Sequence, residues 1–564
     1  NPLVTFGSEH LSTIEMKHFT SCVAAFLFLF LTDFSASGQV IITDDGSGTG
    51  TTTWTNDNTY ILDGFVFVNE GDVLTIEPGT VIKGQTGSGA DASALVVARG
   101  GQIQAHGTAD APIVFTFEAD ALDGSTPFNV RGQWGGVIVL GKAQLNSSPG
   151  ETQIEGIPDT ESRGRYGGNE DEDSSGTMTY VSIRHGGTDI GAGNEINGLT
   201  LGGVGAGTTL EYIEVISNAD DGVEFFGGTA SIKHVVTAFC ADDSFDYDEG
   251  WRGYGQFWCT VQEEGEGDRG GEHDGGTDPE DGLPYAHPVI YNATYIGRGA
   301  DAGRRALTLR DNAGGEYHNS IFYNWGRGID IEKLASGEDS YERFANNEIA
   351  FVGNVFDGCT GLGLDAAASD LFTITMGSGW SSAADSTEAA IASAAAFEAS
   401  FAGNSNVVMN SGLSYVISEG SGLLDLVPSA ALPGGTAAEN PWFDQVDYAG
   451  AFDSSEECTW LDGWSMLSAR GFIGCSTNIK EAEVSTFQIY PNPSNGTFSI
   501  RFEANMDDAV MRLVDLTGKL VLSQTVNAAK GSVVELNAAD AVSGMYIMSV
   551  EKGSETSHAR LIIE

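Results

Sequence analysis

Two short stretches concentrate the side chains best able to do chemistry. Asp220-Asp221-Gly222-Val223-Glu224-Phe225-Phe226-Gly227-Gly228 is followed 22 residues on by a near-copy, Asp242-Asp243-Ser244-Phe245-Asp246-Tyr247-Asp248-Glu249-Gly250. Alignment sets Glu224 on Asp246 and gathers eight carboxylates. Oxygen donors without a Cys/His cluster select a hard cation, Ca2+ rather than Zn2+. The candidate ligands are Asp220, Asp221, Glu224, Asp242, Asp243, Asp246 and Asp248. Two other readings stand beside this one. Asp-Asp and Asp-Gly are ordinary turn formers whose side chains bond the backbone. A pair of carboxylates is also what glycoside hydrolysis uses. Further along, Arg305, Arg310 and Arg327 are candidates for holding an anionic group, such as the carboxylate of a sugar, through paired guanidinium donors.

The elements that must position these residues repeat. Leu199-Thr200-Leu201 leads to Val223-Glu224-Phe225 after 24 residues and to Phe245-Asp246-Tyr247 after a further 22. Leu307-Thr308-Leu309 leads to Ile329-Asp330-Ile331 after 22, carrying Arg305 onto Arg327, and Leu362-Gly363-Leu364 follows at 33, one coil plus an insertion. Apolar-polar-apolar triplets at a constant period predict a solenoid whose coils each give one strand to each parallel sheet. Period two places Val223, Phe225, Phe245 and Tyr247 inside and Glu224 and Asp246 outside. Coils stack about 4.8 Å apart, so two such charges repel by about 3.5 kcal/mol at an effective dielectric of 20. Lys233, His234 and Arg252 are the basic residues near in sequence, too few to balance eight acids. Segment 262–287 reads as a long acidic Gly-rich loop and 381–401 as an Ala-rich helical insertion. The aromatics of 443–452, with Trp460 and Trp464, are expected to cover the last open coil.

The chain has 564 residues, 76 of them Gly, and a net charge of −53, which argues against a nucleic-acid partner. The acidity belongs to residues 39–484, because 485–564 carry 6 Lys/Arg against 9 Asp/Glu. Met16-Lys17-His18, the apolar run Val23 to Leu31 and Ala36-Ser37-Gly38 read as a secretory signal peptide over 16–38, cut near Gln39, with 1–15 upstream of the native start. No other run is long and apolar enough for a transmembrane segment. Export makes Cys240 with Cys259, and Cys458 with Cys475, candidate local disulfides, leaving Cys359 odd.

Leu74-Thr75-Ile76-Glu77-Pro78-Gly79-Thr80-Val81-Ile82-Lys83-Gly84, with Arg99-Gly100-Gly101-Gln102-Ile103 after it, resembles the first coils of bacterial secreted right-handed β-helix proteins. The tail combines Phe487-Gln488-Ile489-Tyr490-Pro491-Asn492-Pro493, Leu513-Val514-Asp515-Leu516-Thr517-Gly518-Lys519 and Gly544-Met545-Tyr546-Ile547. It resembles the C-terminal sorting domain of the type IX secretion system of Bacteroidota. The expected fold is therefore all-β: a right-handed parallel β-helix over 39–480 and a small Ig-like β-sandwich over 485–564. The tail's resemblance implies translocation by the type IX machinery, removal of the domain, and surface attachment or release. The expected function is a secreted or surface polysaccharide-binding or adhesion protein stabilised by a cation. The alternative is a polysaccharide lyase or glycoside hydrolase working in a groove along the coils. The Gly-His-Gly and Arg-Ile-Lys motifs of pectin hydrolases and the Asp-His motif of pectate lyases are absent. His185 and His273 read as turn or surface residues.

Overall fold

The computed structural model describes residues 38–564 apart from 191–194, 360–371, 433, 436, 438–439, 475–486, 503, 516–518, 539–540, 543, 553–554 and 564. The expected leader up to residue 37, the Leu362-Gly363-Leu364 triplet, Cys475 and the Thr517-Gly518 turn lie outside the described residues. The chain falls into two compact units, 1–411 with 433–451 and 412–432 with 452–564.

The first unit is a parallel solenoid. One sheet takes a single strand from each of ten coils, in order Phe65–Val68, Ala94–Val97, Val137–Leu140, Leu199–Gly202, Val223–Phe226, Phe245–Asp248, Gly271–Asp274, Arg305–Arg310, Arg327–Lys333 and Phe372–Met376. The other has 18 strands in two panels: Gly176–Arg184 pairs by its first half with Gln102–His106 and by its second with Ile113–Phe117. The long strands turn between panels at Tyr180, Tyr212, His234 and Phe257, all with positive φ. Non-glycine residues seldom take that conformation. Here their rings stack coil upon coil, with centroids 4.3, 4.3 and 4.8 Å apart, an attraction that offsets the strain.

Within each strand the period of two holds. Val223, Phe225, Phe245 and Tyr247 join one continuous core, whose apolar burial is the main stabilising term. The segment expected as a loop over 262–287 contributes a seventh rung, Gly271–Asp274, in register with Phe245–Tyr247. It carries no apolar triplet because its inward positions are Gly271 and His273. A Cβ on Gly271 would lie 2.5 Å from the His273 ring. His273 is neither turn nor surface: it is fully buried, stacked on Tyr247 at 4.2 Å and hydrogen-bonded to the Tyr317 hydroxyl at 2.8 Å. His185 is also buried, its Nδ1 2.6 Å from the Val130 carbonyl.

The C-terminal coil is covered by helix Ala383–Gly403, capped by Ser382, whose side chain accepts the Asp385 N–H. Phe397 and Phe401 on this helix pack edge-on against Phe372, with Phe351 and Phe356 behind them. The closing aromatics take another role. Trp442 and Phe443 pack on Tyr254, and Phe443 also on Tyr291, alongside the second sheet rather than over its end; Trp460 and Trp464 belong to the second unit. Cys240 and Cys259 are buried free thiols, not a disulfide. Register explains it: Cys259 lies beside Val236, four residues short of Cys240. At roughly 3.3 Å per residue that exceeds the span a disulfide bridges. Cys359 is likewise free and buried, whereas Cys458 is disulfide-bonded.

The second unit contains an antiparallel sandwich. Phe487–Tyr490, Thr497–Phe502 and Val533–Asn537 form one sheet; Leu520–Ala528, Met506–Asp515, Gly544–Lys552 and Glu555–Ile563 form the other. Phe498, Ile500 and Leu536 from the first meet Met511, Leu513, Met548 and Leu561 from the second. Among the described residues no helix is long and apolar enough to cross a membrane.

Candidate functional site

The acidic copies are adjacent rungs of the ten-strand sheet. Val223 pairs with Phe245, Glu224 with Asp246 and Phe225 with Tyr247. Inward apolar residues on both sides force Glu224 and Asp246 outward onto one face, one above the other. Asp221, two residues earlier, accepts the N–H of Asp243 at 2.8 Å, so one of its oxygens does the turn work expected of an Asp-Asp pair. Glu224 in turn accepts the Asn197 amide.

Asp221, Glu224 and Asp246 converge, each offering an oxygen within 4.8 Å of the other two. They are 7%, 7% and 9% exposed. None forms an ion pair with a basic side chain among the described residues, and the buried Oδ1 of Asp246 has no hydrogen-bond partner there. Three anions in a dry site without a counter-charge cost several kcal/mol each. Burial first, and then the neighbouring carboxylates, push all three well above the usual carboxylate range. Asp220 is pushed up to about 7 by burial and then by Glu155 and Glu195. The site must bind protons or a cation. Its donors are all oxygens, as a hard divalent ion requires, and the orphaned Asp246 oxygen points the same way.

The other expected ligands divide. Asp220 and Asp242 form a second, more open group with Asp221. Asp242, Asp243 and Asp268 form a third, but Arg269 crosses it: Nη1 lies 3.2 Å from both Asp243 and Asp268 and 2.9 Å from Glu272. Asp248 stays apart, accepting the Thr277 hydroxyl. Lys233, His234 and Arg252 serve none of these carboxylates; they pair with Asp444, Glu211 and Asp171. Sequence reasoning thus missed Arg269, Glu272 and Asp274. The one Arg in the acidic 262–287 segment was the available signal.

Arg305 and Arg327 are register neighbours, as the 22-residue step predicts. Arg305 Nε lies 3.6 Å from Asp330, which shares an outward row with Glu224 and Asp246 through Glu272 and Thr308. Arg305 therefore shares a face with Asp246, two coils on, and Arg327 is its exposed register neighbour in the next coil. Arg310 is committed elsewhere, to Asp274 at 2.7 Å and Glu272 at 2.9 Å. The outward face runs from uncompensated carboxylates, through the Arg269–Glu272–Arg310 network, to Arg305 beside Asp330.

Comparison with known families agrees with both units. Residues 488–564 match the secretion system C-terminal sorting domain, which implies recognition by the type IX machinery and export to the cell surface. No curated protein matches the chain. Residues 46–404 match the pectate-lyase like beta helix domain, and the chain belongs to that family.

Proposed function

We propose that this exported β-helix protein is a cation-stabilised polysaccharide-binding or adhesion protein. The observation that carries it is the buried Asp221–Glu224–Asp246 group with its unpartnered Asp246 oxygen. Ca2+ is the ion that suits it, held by these three carboxylates, with Asp220 and Asp242 beside it. Bound there, it would cancel the repulsion between adjacent coils and leave the outward face able to meet a glycan. Arg305 on that face, with Arg327 beside it in register, suits a carboxylated sugar, which guanidinium forks recognise in pairs. Arg310, tied to two acids, contributes by holding Glu272 and Asp274 in place.

A second reading, a polysaccharide lyase, is favoured by one observation: Arg305 shares the face of Asp246, where a lyase needs its cation and its basic group together. A glycan panel assayed with Ca2+ and with chelator, for retention and for new unsaturated or reducing ends, separates the two. Ca2+-dependent retention of an acidic glycan without product supports binding. Product from any glycan moves the assignment to the enzyme, and no retention of any glycan contradicts both.

A further inference from the structure

The outward row of the ten-strand sheet changes character along its length. Phe67, Val96 and Ile138 fill it in the first three coils, Thr200 in the fourth, and Glu224 and Asp246 in the next two, each beside the next in register. The apolar part has a cover. The excursion 144–167, between strands Val137–Leu140 and Leu199–Gly202, packs Leu145, Ile154, Ile157 and Tyr166 against it. Polar contacts fasten the same excursion: Arg163 donates to Asp44 at 2.8 Å, and the Tyr166 hydroxyl donates to Glu249 at 2.6 Å.

Glu155 lies where this cover ends. Ile154 and Ile157 on either side of it are buried, 1% and 4% exposed, while Glu155 itself is exposed. Its carboxylate is nonetheless turned towards the acidic row: Asn197 Nδ2 donates both to Glu155 Oε1, at 3.4 Å, and to Glu224. One amide thus holds the two carboxylates side by side. Arg163 of the excursion does not balance them, being committed to Asp44 and Glu161. Burial first, and then the charge of Glu155, push Glu224 above the usual carboxylate range. Repulsion alone would swing an exposed glutamate away into water. Asp221 and Glu224 each have an oxygen engaged by an N–H, so the three buried carboxylates leave Ca2+ short of the about six to eight oxygens it takes. Glu155 stands at the open side of that group, with an oxygen to add.

We propose that Glu155 is the outer ligand of the cation site formed by Asp221, Glu224 and Asp246, so that binding a divalent cation latches the excursion 144–167 onto the acidic coils. This latch rests on the cation reading proposed above. Two measurements on the chelated full chain test it: calorimetric titration with Ca2+, and amide hydrogen exchange of 144–167 with and without saturating Ca2+. The wild type should bind Ca2+ and exchange at least about tenfold more slowly over 144–167 when loaded. Glu155→Gln, at an exposed position, should melt unchanged in EDTA, bind Ca2+ at least about tenfold more weakly, and gain no protection over 144–167 when saturated. Glu195→Gln, which removes another charge acting on Asp220, is the control for charge alone and should keep both the affinity and the protection. Wild-type binding without slower exchange, or equal affinity and protection in Glu155→Gln, would overturn the latch and leave the buried site standing. Equal losses in both variants would reduce Glu155 to a background charge and overturn it as well. No Ca2+ binding by the wild type would remove the site and the latch together.

Discussion

At the scale of single residues, the carboxylate group is the part of the molecule most at odds with itself. Groups whose folded pKa is raised contribute stability that is present below their unfolded pKa and lost as pH rises through the folded value. For Asp220 that window runs from the ordinary aspartate range up to about 7, and burial pushes Asp221, Glu224 and Asp246 in the same direction. The chelated protein should therefore melt at a higher temperature at pH 5 than at pH 8, by scanning calorimetry. Ca2+ at 100 times its Kd should restore about 2.7 kcal/mol, more visibly at pH 8. Glu316 behaves oppositely. Hydrogen bonds from His287 and His318, 2.9 and 2.8 Å away, pull it down to about 2, so its contribution is present above the usual glutamate range and lost only as pH falls through about 2. Glu224 over Asp246 was legible from the 22-residue repeat alone. That Asp221 joins them while Asp248 does not was illegible, since it depends on turn geometry and on where Thr277 returns.

At the scale of elements, periodicity carried wherever inward positions are apolar and failed where they are not. The rung Gly271–Asp274 was hidden because glycine and a buried neutral histidine replace the usual pair. The helix over 383–403 was visible in its alanines, but its work over the final coil lies in Phe397 and Phe401, whose partners come from three different strands. Phe397→Ala should cost about 3–5 kcal/mol, read from chemical denaturation. The disulfide expected between Cys240 and Cys259 rested on sequence proximity, which strand register overrides. Cys240, Cys259 and Cys359 are buried, and burial pushes the Cys240 thiol up to about 11 and the Cys359 thiol up to about 12. The native protein should leave all three unlabelled by a thiol reagent at pH 8, with labelling appearing on unfolding; rapid labelling of the native state would contradict this packing.

At the scale of the whole molecule, a long acidic solenoid is joined in sequence to a small sandwich that matches a sorting domain. Deleting 488–564 should leave the protein inside the outer membrane, read by surface labelling of whole cells; display without that segment would contradict its assigned role. The solenoid's fold was legible because a repeat states its rule many times. Its function was less so, because the residues that balance or leave unbalanced its charges come from separate coils and excursions. Calorimetric titration of Ca2+ into the chelated full-length protein, against Asp246→Asn, tests the central claim most directly. Tight saturable binding by the wild type, lost or weakened at least about tenfold in the variant, is the result predicted. No binding, or the same binding by both proteins, would contradict it.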